Sequence, residues 1–364
     1  AASLKVSGLP MPLHFADSAQ MSIDFQKEIF SVKMAGGPDG DVAGNALRYL
    51  GEDFPKTAKI VAIRDVSGLL LEPEGADWPA ILELCAKSIP IAYYPESLLS
   101  SKGILVKKNS HLLYQRKEAG ELVIRPLSPE ETMHFLQTAL HGAKADLFLP
   151  AGGRPNTLNE ENLHEFLDAE GFPTSKGIVE GANLYLSDAA RYLLEQKGVL
   201  IFKDSSANKG GVICSSFEVF CNLCLDPPLF MAHKPALVVD IRKQIIDLTQ
   251  KEASLLLRSH VDTGRSLAVL SDELAEMMHA CSDRVLDQLE SRPCSPQLNQ
   301  MFLAFCPSTL STHFADRLLK NIPDLYKKAF VSCHIAAELL YKQPSIQPAK
   351  LPALLQEALS KIST

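Results

Sequence analysis

The run Met34-Ala35-Gly36-Gly37-Pro38-Asp39-Gly40-Asp41-Val42-Ala43-Gly44-Asn45 exposes bare backbone where a short apolar stretch gives way to a helical pattern. Glycines at such a point let an anion approach backbone N–H groups, and the partly positive N-terminus of the following helix favours the charge. The spacing is not the usual Gly-x-Gly-x-x-Gly but Gly37-x-x-Gly40-x-x-Ala43, with a small residue where the helix must pack on the strand. Asp65 follows the apolar run Lys59-Ile60-Val61-Ala62-Ile63-Arg64, where a dinucleotide fold places the carboxylate that accepts hydrogen bonds from an adenosine ribose. Together these residue types point to NAD, because a carboxylate there repels the 2′-phosphate of NADP, with the adjacent Arg64 acting against that preference. Gly-Pro-Asp-Gly also makes ordinary surface turns, and Asp65 could instead cap a turn with Ser67-Gly68.

Three further loops carry small and amide residues: Pro150-Ala151-Gly152-Gly153-Arg154-Pro155, Glu180-Gly181-Ala182-Asn183, and Ser206 to Ser216 with Asn208, Lys209, Gly210 and Gly211. The amides of Asn183 and Asn208 offer both a donor and an acceptor, which is what a carboxamide needs. Either asparagine alone is an ordinary turn residue.

These loops must be held by regular elements. Strands are expected at 30–34, 59–65, 145–149, 177–180 and 199–202, with helices at 42–49, 78–88, 160–168 and 188–196 between them. Such alternation predicts an α/β fold, a doubly wound and mostly parallel Rossmann-like sheet whose ligand lies beyond the carboxyl ends of the strands. Residues 103–126 break the rhythm with three small strands and read as an insertion or hairpin. Ser128-Pro129-Glu130-Glu131 is a helix start with a Ser cap, Pro at the first position and Glu three residues after the cap. After Leu225 the pattern is helical throughout, and Leu267, Leu270, Leu274, Met277, Met278, Cys281, Val285 and Leu289 share one face that reads as core. The expected organisation is a lead-in over 1–30, a dinucleotide-binding domain over 31–225 and an all-helical C-terminal region over 226–364.

The 364 residues carry a net charge of −7, without the basic stripe a nucleic-acid binder needs. No run is long and apolar enough to span a bilayer. The eight cysteines lack framework spacing, consistent with a reducing cytoplasmic setting. Cys221-x-x-Cys224 has no second pair to complete a zinc site, so no metal is expected. The chain starts at Ala1 rather than Met, which reads as a processed chain or a fragment.

Four ordered motifs, Gly-Gly-Pro-Asp-Gly-Asp-Val at 36–42, Leu-Pro-Ala-Gly-Gly-Arg-Pro at 149–155, Val-Glu-Gly-Ala-Asn at 179–183 and Ser-Ala-Asn-Lys-Gly-Gly-Val at 206–212, resemble the dinucleotide-binding half of the large, NAD-specific glutamate dehydrogenases. The resemblance implies NAD-dependent oxidative deamination of L-glutamate to 2-oxoglutarate and ammonia, in a homo-oligomer. It places Gly37, Asp39, Gly40, Asp41, Val42, Asp65, Ala151, Asn183 and Asn208 on the cofactor, with Val212 and Ser215 on the substrate side chain. Arg154 and Lys209 belong to the motifs without an assigned role. In this family the catalytic Lys and proton-transferring Asp lie in a domain preceding the dinucleotide fold. Only about thirty residues precede it here, and neither Lys5 nor Lys27 sits in the Gly-rich context the catalytic lysine has. The expectation is therefore an NAD-binding portion lacking its catalytic lysine, the alternatives being a leucine- or phenylalanine-type dehydrogenase and a non-catalytic dinucleotide sensor or assembly module.

Overall fold

The structure, a computed structural model, describes residues 24–363 together with two short antiparallel strands, β1 (Leu13–His14) and β2 (Gln20–Met21). Lys5 lies outside the described residues. The chain divides into two compact units, one ending at Asn208 and one running from Lys209 onward.

The first unit is built on a nine-stranded sheet. Its elements are β3 (Phe30–Ala35), α1 (Asp41–Asp53), β4 (Ala58–Arg64), β5 (Gly68–Leu71), α2 (Trp78–Lys87), β6 (Ile104–Lys107), β7 (Leu112–Arg116), β8 (Leu122–Pro126), α3 (Pro129–Gly142), β9 (Ala145–Pro150), β10 (Ser175–Val179), α4 (Asp188–Gln196), β11 (Leu200–Phe202) and α5 (Asp204–Ala207). In space the strands run β11-β10-β9-β3-β4-β5-β6-β7-β8. The five from β11 to β4 are parallel and the remaining pairings are antiparallel. β3 and β9 are buried along nearly their whole length, as strands covered on both faces must be. The chain turns back on itself between β3 and its neighbour β9, so their carboxyl ends form the switch point at which ligands bind open α/β sheets.

Residues 103–126 form the three expected strands, paired as antiparallel hairpins, and β6 also pairs with β5, a strand the sequence pattern does not mark, so that they extend the same sheet. One expectation is overturned. Residues 160–168 are not a helix beyond the short 3-10 turn Leu163–Phe166. Asn159 Oδ1 accepts from the N–H of Glu161 and Asn162, and Asn162 Oδ1 accepts from Asn159 N–H, the reciprocal pattern of a helix start. The chain then folds back on itself, Asp168 N–H donating to Phe172 O and Thr174 N–H to Phe166 O, so the helix goes no further than one turn.

The helix start at Ser128 forms as expected. Ser128 Oγ accepts from Glu131 N–H at 3.0 Å and Glu131 Oε2 accepts from Ser128 N–H at 2.8 Å, which closes a capping box with Pro129 at the first position. Ser128→Ala is expected to lower stability by about 1 kcal/mol, read as a shifted midpoint in urea denaturation.

The second unit is helical: α6 (Gly210–Cys224), α7 (Pro227–Thr263), α8 (Leu267–Glu290), α9 (Pro296–Phe305), α10 (Ser308–His313), α11 (Ala315–Asn321), α12 (Asp324–Tyr341) and α13 (Leu351–Ser363). The apolar stripe of α8 is buried except for the half-buried Met278. The core centres on Phe217, Phe220, Phe302 and Phe330, whose rings meet edge to face. Cys221 and Cys224 are buried on α6, and burial pushes the Cys221 thiol up to about 11. Among the described residues no helix is long and apolar enough to cross a membrane, and no cluster of His, Cys, Asp and Glu could hold a metal ion.

Candidate functional site

The glycine turn joins β3 to α1 at the switch point. Gly36 has φ +104°, and a Cβ there would lie 2.8 Å from Ala43 Cβ and 3.0 Å from the Ala151 carbonyl carbon. The small residue of the irregular motif, Ala43, is thus what allows the turn to fold down on its own helix. Gly44 is equally confined, because a Cβ would stand 2.4 Å from the Pro38 carbonyl oxygen. Gly40 is the N-cap of α1 and no side chain caps the helix. The first-turn N–H groups are therefore not taken by a side-chain cap, as an anion cradle requires.

The loop after β9 closes on this turn. Ala151 N–H donates to Ala35 O at 2.8 Å, and a Cβ on Gly152 would be 3.0 Å from the Gly36 Cα. The loop after β10 joins them: Ala182 N–H donates to Pro150 O at 2.7 Å, and a Cβ on Gly181 would meet Val42 Cγ1 at 3.2 Å. Gly37, Asp39, Gly40, Asp41, Val42, Ala151 and Asn183 therefore come from three loops and the first turn of α1, at one end of the sheet.

Asp65 is drawn into the same place. A Cβ on Gly37 would lie 2.2 Å from Asp65 Oδ2 and 2.8 Å from Asp39 Oδ1. The two oxygens are then no more than about 5 Å apart, within the range over which like charges disturb each other. Burial raises the Asp39 carboxyl above its usual range, and the charge of Asp65 adds to the shift. Asp65 also caps the turn into β5: Oδ1 accepts from Ser67 N–H, Ser67 Oγ and Gly68 N–H, and Oδ2 accepts from Ile91 N–H at 2.7 Å. Both readings of Asp65, turn cap and carboxylate beside the glycine turn, describe the same side chain. The charge of Arg64 reaches the buried Tyr185 and His141.

Asn208 Nδ2 donates to Asn183 Oδ1, so the two amides meet directly. That bond leaves the donor of Asn183 and the acceptor of Asn208 to a third group. The Asn183 loop is braced from below. Asp204 Oδ2 accepts from the N–H of Leu184, a residue at φ +56°. Glu180, at the end of β10, is fully buried and paired bidentately with Arg191 of α4, Nε to Oε1 at 2.6 Å and Nη2 to Oε2 at 3.1 Å. Sequence reasoning missed this pair, since it shows only a glutamate in a motif and an arginine on an amphipathic helix.

Val212 and Ser215 lie on the first turns of α6 in the second unit, Val212 71% exposed and Ser215 exposed with its Oγ donating to Gly211 O at 3.1 Å. Lys27 is exposed and bonded to Asp24, which raises its pKa, the opposite of what a base at neutral pH requires. Lys33 on β3 was not singled out in the sequence, and burial holds its pKa well below the ordinary lysine value. Its Nζ is sealed from solvent, donating to His141 O, Ala143 O and Thr174 Oγ1, and so finishes the C-terminus of α3 instead of facing the loops.

The family model describing glutamate/leucine/phenylalanine/valine dehydrogenases matches residues 14–227. A probable NAD-specific glutamate dehydrogenase of Schizosaccharomyces pombe is 30% identical over 321 residues, covering 84% of this chain and 28% of the relative. Glutamate dehydrogenase 2 of Dictyostelium discoideum is 30% identical over 320 residues, covering 84% and 29%. The chain thus spans less than a third of the length of these relatives. Among solved structures, a hetero-hexameric glutamate dehydrogenase from Thermus thermophilus in its Leu bound form aligns with a TM-score of 0.42 at 16% identity, over 68% of this chain and 44% of that one.

Proposed function

Because this chain belongs to the glutamate/leucine/phenylalanine/valine dehydrogenase family, we propose that it is the NAD-binding part of an enzyme that oxidatively deaminates L-glutamate. The observation that carries the reading is the meeting of the glycine turn, the β9 loop and the Asp65 carboxylate at the switch point of the sheet. The residues fit a dinucleotide: a side chain at Gly36 or Gly37 would fill the cradle, and α1 starts without a side-chain cap.

In this reading Gly37 and Gly40 present backbone to the pyrophosphate, with Asp41 and Val42 opening α1 beneath it and Ala151 walling the turn. Asp65 and Asp39 accept from the ribose hydroxyls. Two carboxylates so close also disfavour a 2′-phosphate, which selects NAD over NADP. The Asn183–Asn208 pair holds the carboxamide and so sets which face of the ring is presented. Bound NAD supplies the acceptor for the hydride leaving the substrate Cα. Ser215 donates to the substrate's side-chain carboxylate and Val212 packs beside it. We assign no described lysine as the general base. A homo-oligomer, a cytoplasmic location and the division at 225/226 into cofactor and helical domains belong to the same proposal.

Titration of the protein with NADH and NADPH, followed by nucleotide fluorescence, tests it. NADH is expected to bind the more tightly. Asp65→Ala should weaken NADH by about tenfold or more, the loss of a charge-assisted contact. An unchanged NADH affinity in a folded variant would show that the ribose lies elsewhere. Turnover of glutamate, leucine and phenylalanine by the intact enzyme decides the substrate.

A further inference from the structure

Lys209 sits between residues with proposed roles, in Asn208-Lys209-Gly210-Gly211-Val212, and has had none. Its Nζ donates to both carboxylate oxygens of Glu252 on α7, at 2.8 and 2.7 Å. Tyr341 on α12 donates its hydroxyl to Glu252 Oε2 at 2.5 Å. The Glu252 side chain is 4% exposed, and a carboxylate so deep must be matched by charge and hydrogen bonds. Burial and the neighbouring Glu252 push the Tyr341 hydroxyl far above its usual pKa, so it remains a donor and contributes no charge. The positive charge in this triad is that of Lys209.

The backbone of Lys209 is already helical, at φ −54° and ψ −23°, and its carbonyl accepts from Ile213 N–H. The next residue, Gly210, stands so near α7 that a Cβ would lie 3.1 Å from Ile245 Cγ2. One ionic contact and one steric contact thus seat the first turn of α6 on α7. Val212 and Ser215 project from that turn and the next. On a rigid helix their positions follow the seating.

We propose that Lys209 is a positioning residue, which by bridging buried Glu252 fixes the start of α6 and so the placement of Val212 and Ser215 toward substrate. The inference rests on the dehydrogenase reading and extends it to a residue that touches neither substrate nor cofactor. A misplacement of about 1 Å can cost on the order of a hundredfold in rate, so a clamp of this kind bears on turnover as well as on stability.

The test uses the intact enzyme, with steady-state kinetics, NADH titration and thermal melting on Lys209→Met, Lys209→Arg and the double variant Lys209→Met/Glu252→Gln. Lys209→Met is expected to lower the melting temperature and raise the KM for glutamate about tenfold or more, with NADH affinity held within about twofold. Adding Glu252→Gln removes the stranded charge and should restore the melting temperature while KM stays high. Lys209→Arg, which can still bridge the carboxylate, should return KM toward the wild-type value. Recovery of both quantities together in the double variant overturns the proposal, as does an unchanged KM in folded Lys209→Met. A wild-type enzyme that does not turn over glutamate overturns the dehydrogenase reading and this inference with it.

Discussion

Gly37→Ala is expected to abolish measurable NADH binding at concentrations that saturate the wild type, while leaving the protein folded. The added methyl would sit 2.2 Å from Asp65 Oδ2 and 2.8 Å from both Asp65 Cβ and Asp39 Oδ1, distances no Cβ tolerates. Relief would have to come from Asp65 or from the turn. Asp65 is held by Ser67 N–H at 2.7 Å, Ser67 Oγ at 2.6 Å, Gly68 N–H at 3.1 Å and Ile91 N–H at 2.7 Å, so moving it breaks charge-assisted bonds of roughly 1.5–3 kcal/mol each. The turn is held by Gly36 against Ala151 and by Gly44 against Pro38 O. Whichever yields, the ribose carboxylate and the phosphate cradle lose their mutual placement, and losing one to two such contacts weakens binding on the order of a hundredfold. Fluorescence titration with NADH measures the effect, and circular dichroism separates it from unfolding. A folded Gly37→Ala with wild-type affinity would remove the turn from the site.

The same residues show why part of this site was legible in the sequence. Glycine and small residues at a strand-to-helix junction report a local requirement, close approach of backbone, and the contacts of Gly36, Ala43 and Gly44 are that requirement met within ten residues of chain. The parallel strands were legible for a similar reason, since burial on both faces leaves an unbroken apolar run. What escaped was set by partners distant in sequence. β5 follows directly on the Asp65–Gly68 turn, so a correctly read turn concealed the strand after it. β6, β7 and β8 were legible as hairpin strands, but nothing local says that β6 also pairs with β5 and so joins them to the main sheet. Residues 160–168 carry helical spacing and even start with a reciprocal Asn159–Asn162 cap, yet the backbone of 166–168 pairs with 172–174 instead of continuing the helix. Asn183 and Asn208 were read as two independent amides, and their direct bond became visible only when β10 and β11 were laid side by side.

Arg191→Met should be the most destabilising single change, about 3–5 kcal/mol at neutral pH, because it strands Glu180 as a buried, unpaired carboxylate. Even with Arg191 in place, burial raises the Glu180 carboxyl above its usual range, the arginine opposing that shift and Asp204 adding to it. The sign of the pH dependence follows. A carboxyl whose folded pKa is raised contributes stability that is fully present below its unfolded pKa and is lost as pH rises through its folded one. Removing Arg191 takes away the opposing charge and lifts the folded value further, so the variant's deficit should shrink as pH falls from 7.5 toward 5.5 and Glu180 takes up a proton. Adding Glu180→Leu should recover most of the loss at neutral pH, since an apolar pair can replace a buried ion pair. Urea denaturation at the two pH values measures this, followed through the transition of the sheet-containing unit because the two units need not unfold together. A deficit independent of pH would mean that Glu180 holds the same protonation state with and without Arg191, against the expectation. NADH binding should weaken in parallel with stability, because Glu180 directly follows β10 and its backbone leads within three residues to Asn183. In this chain the buried pair and the exposed amide are two ends of one loop, and the charge in the core sets where the amide stands.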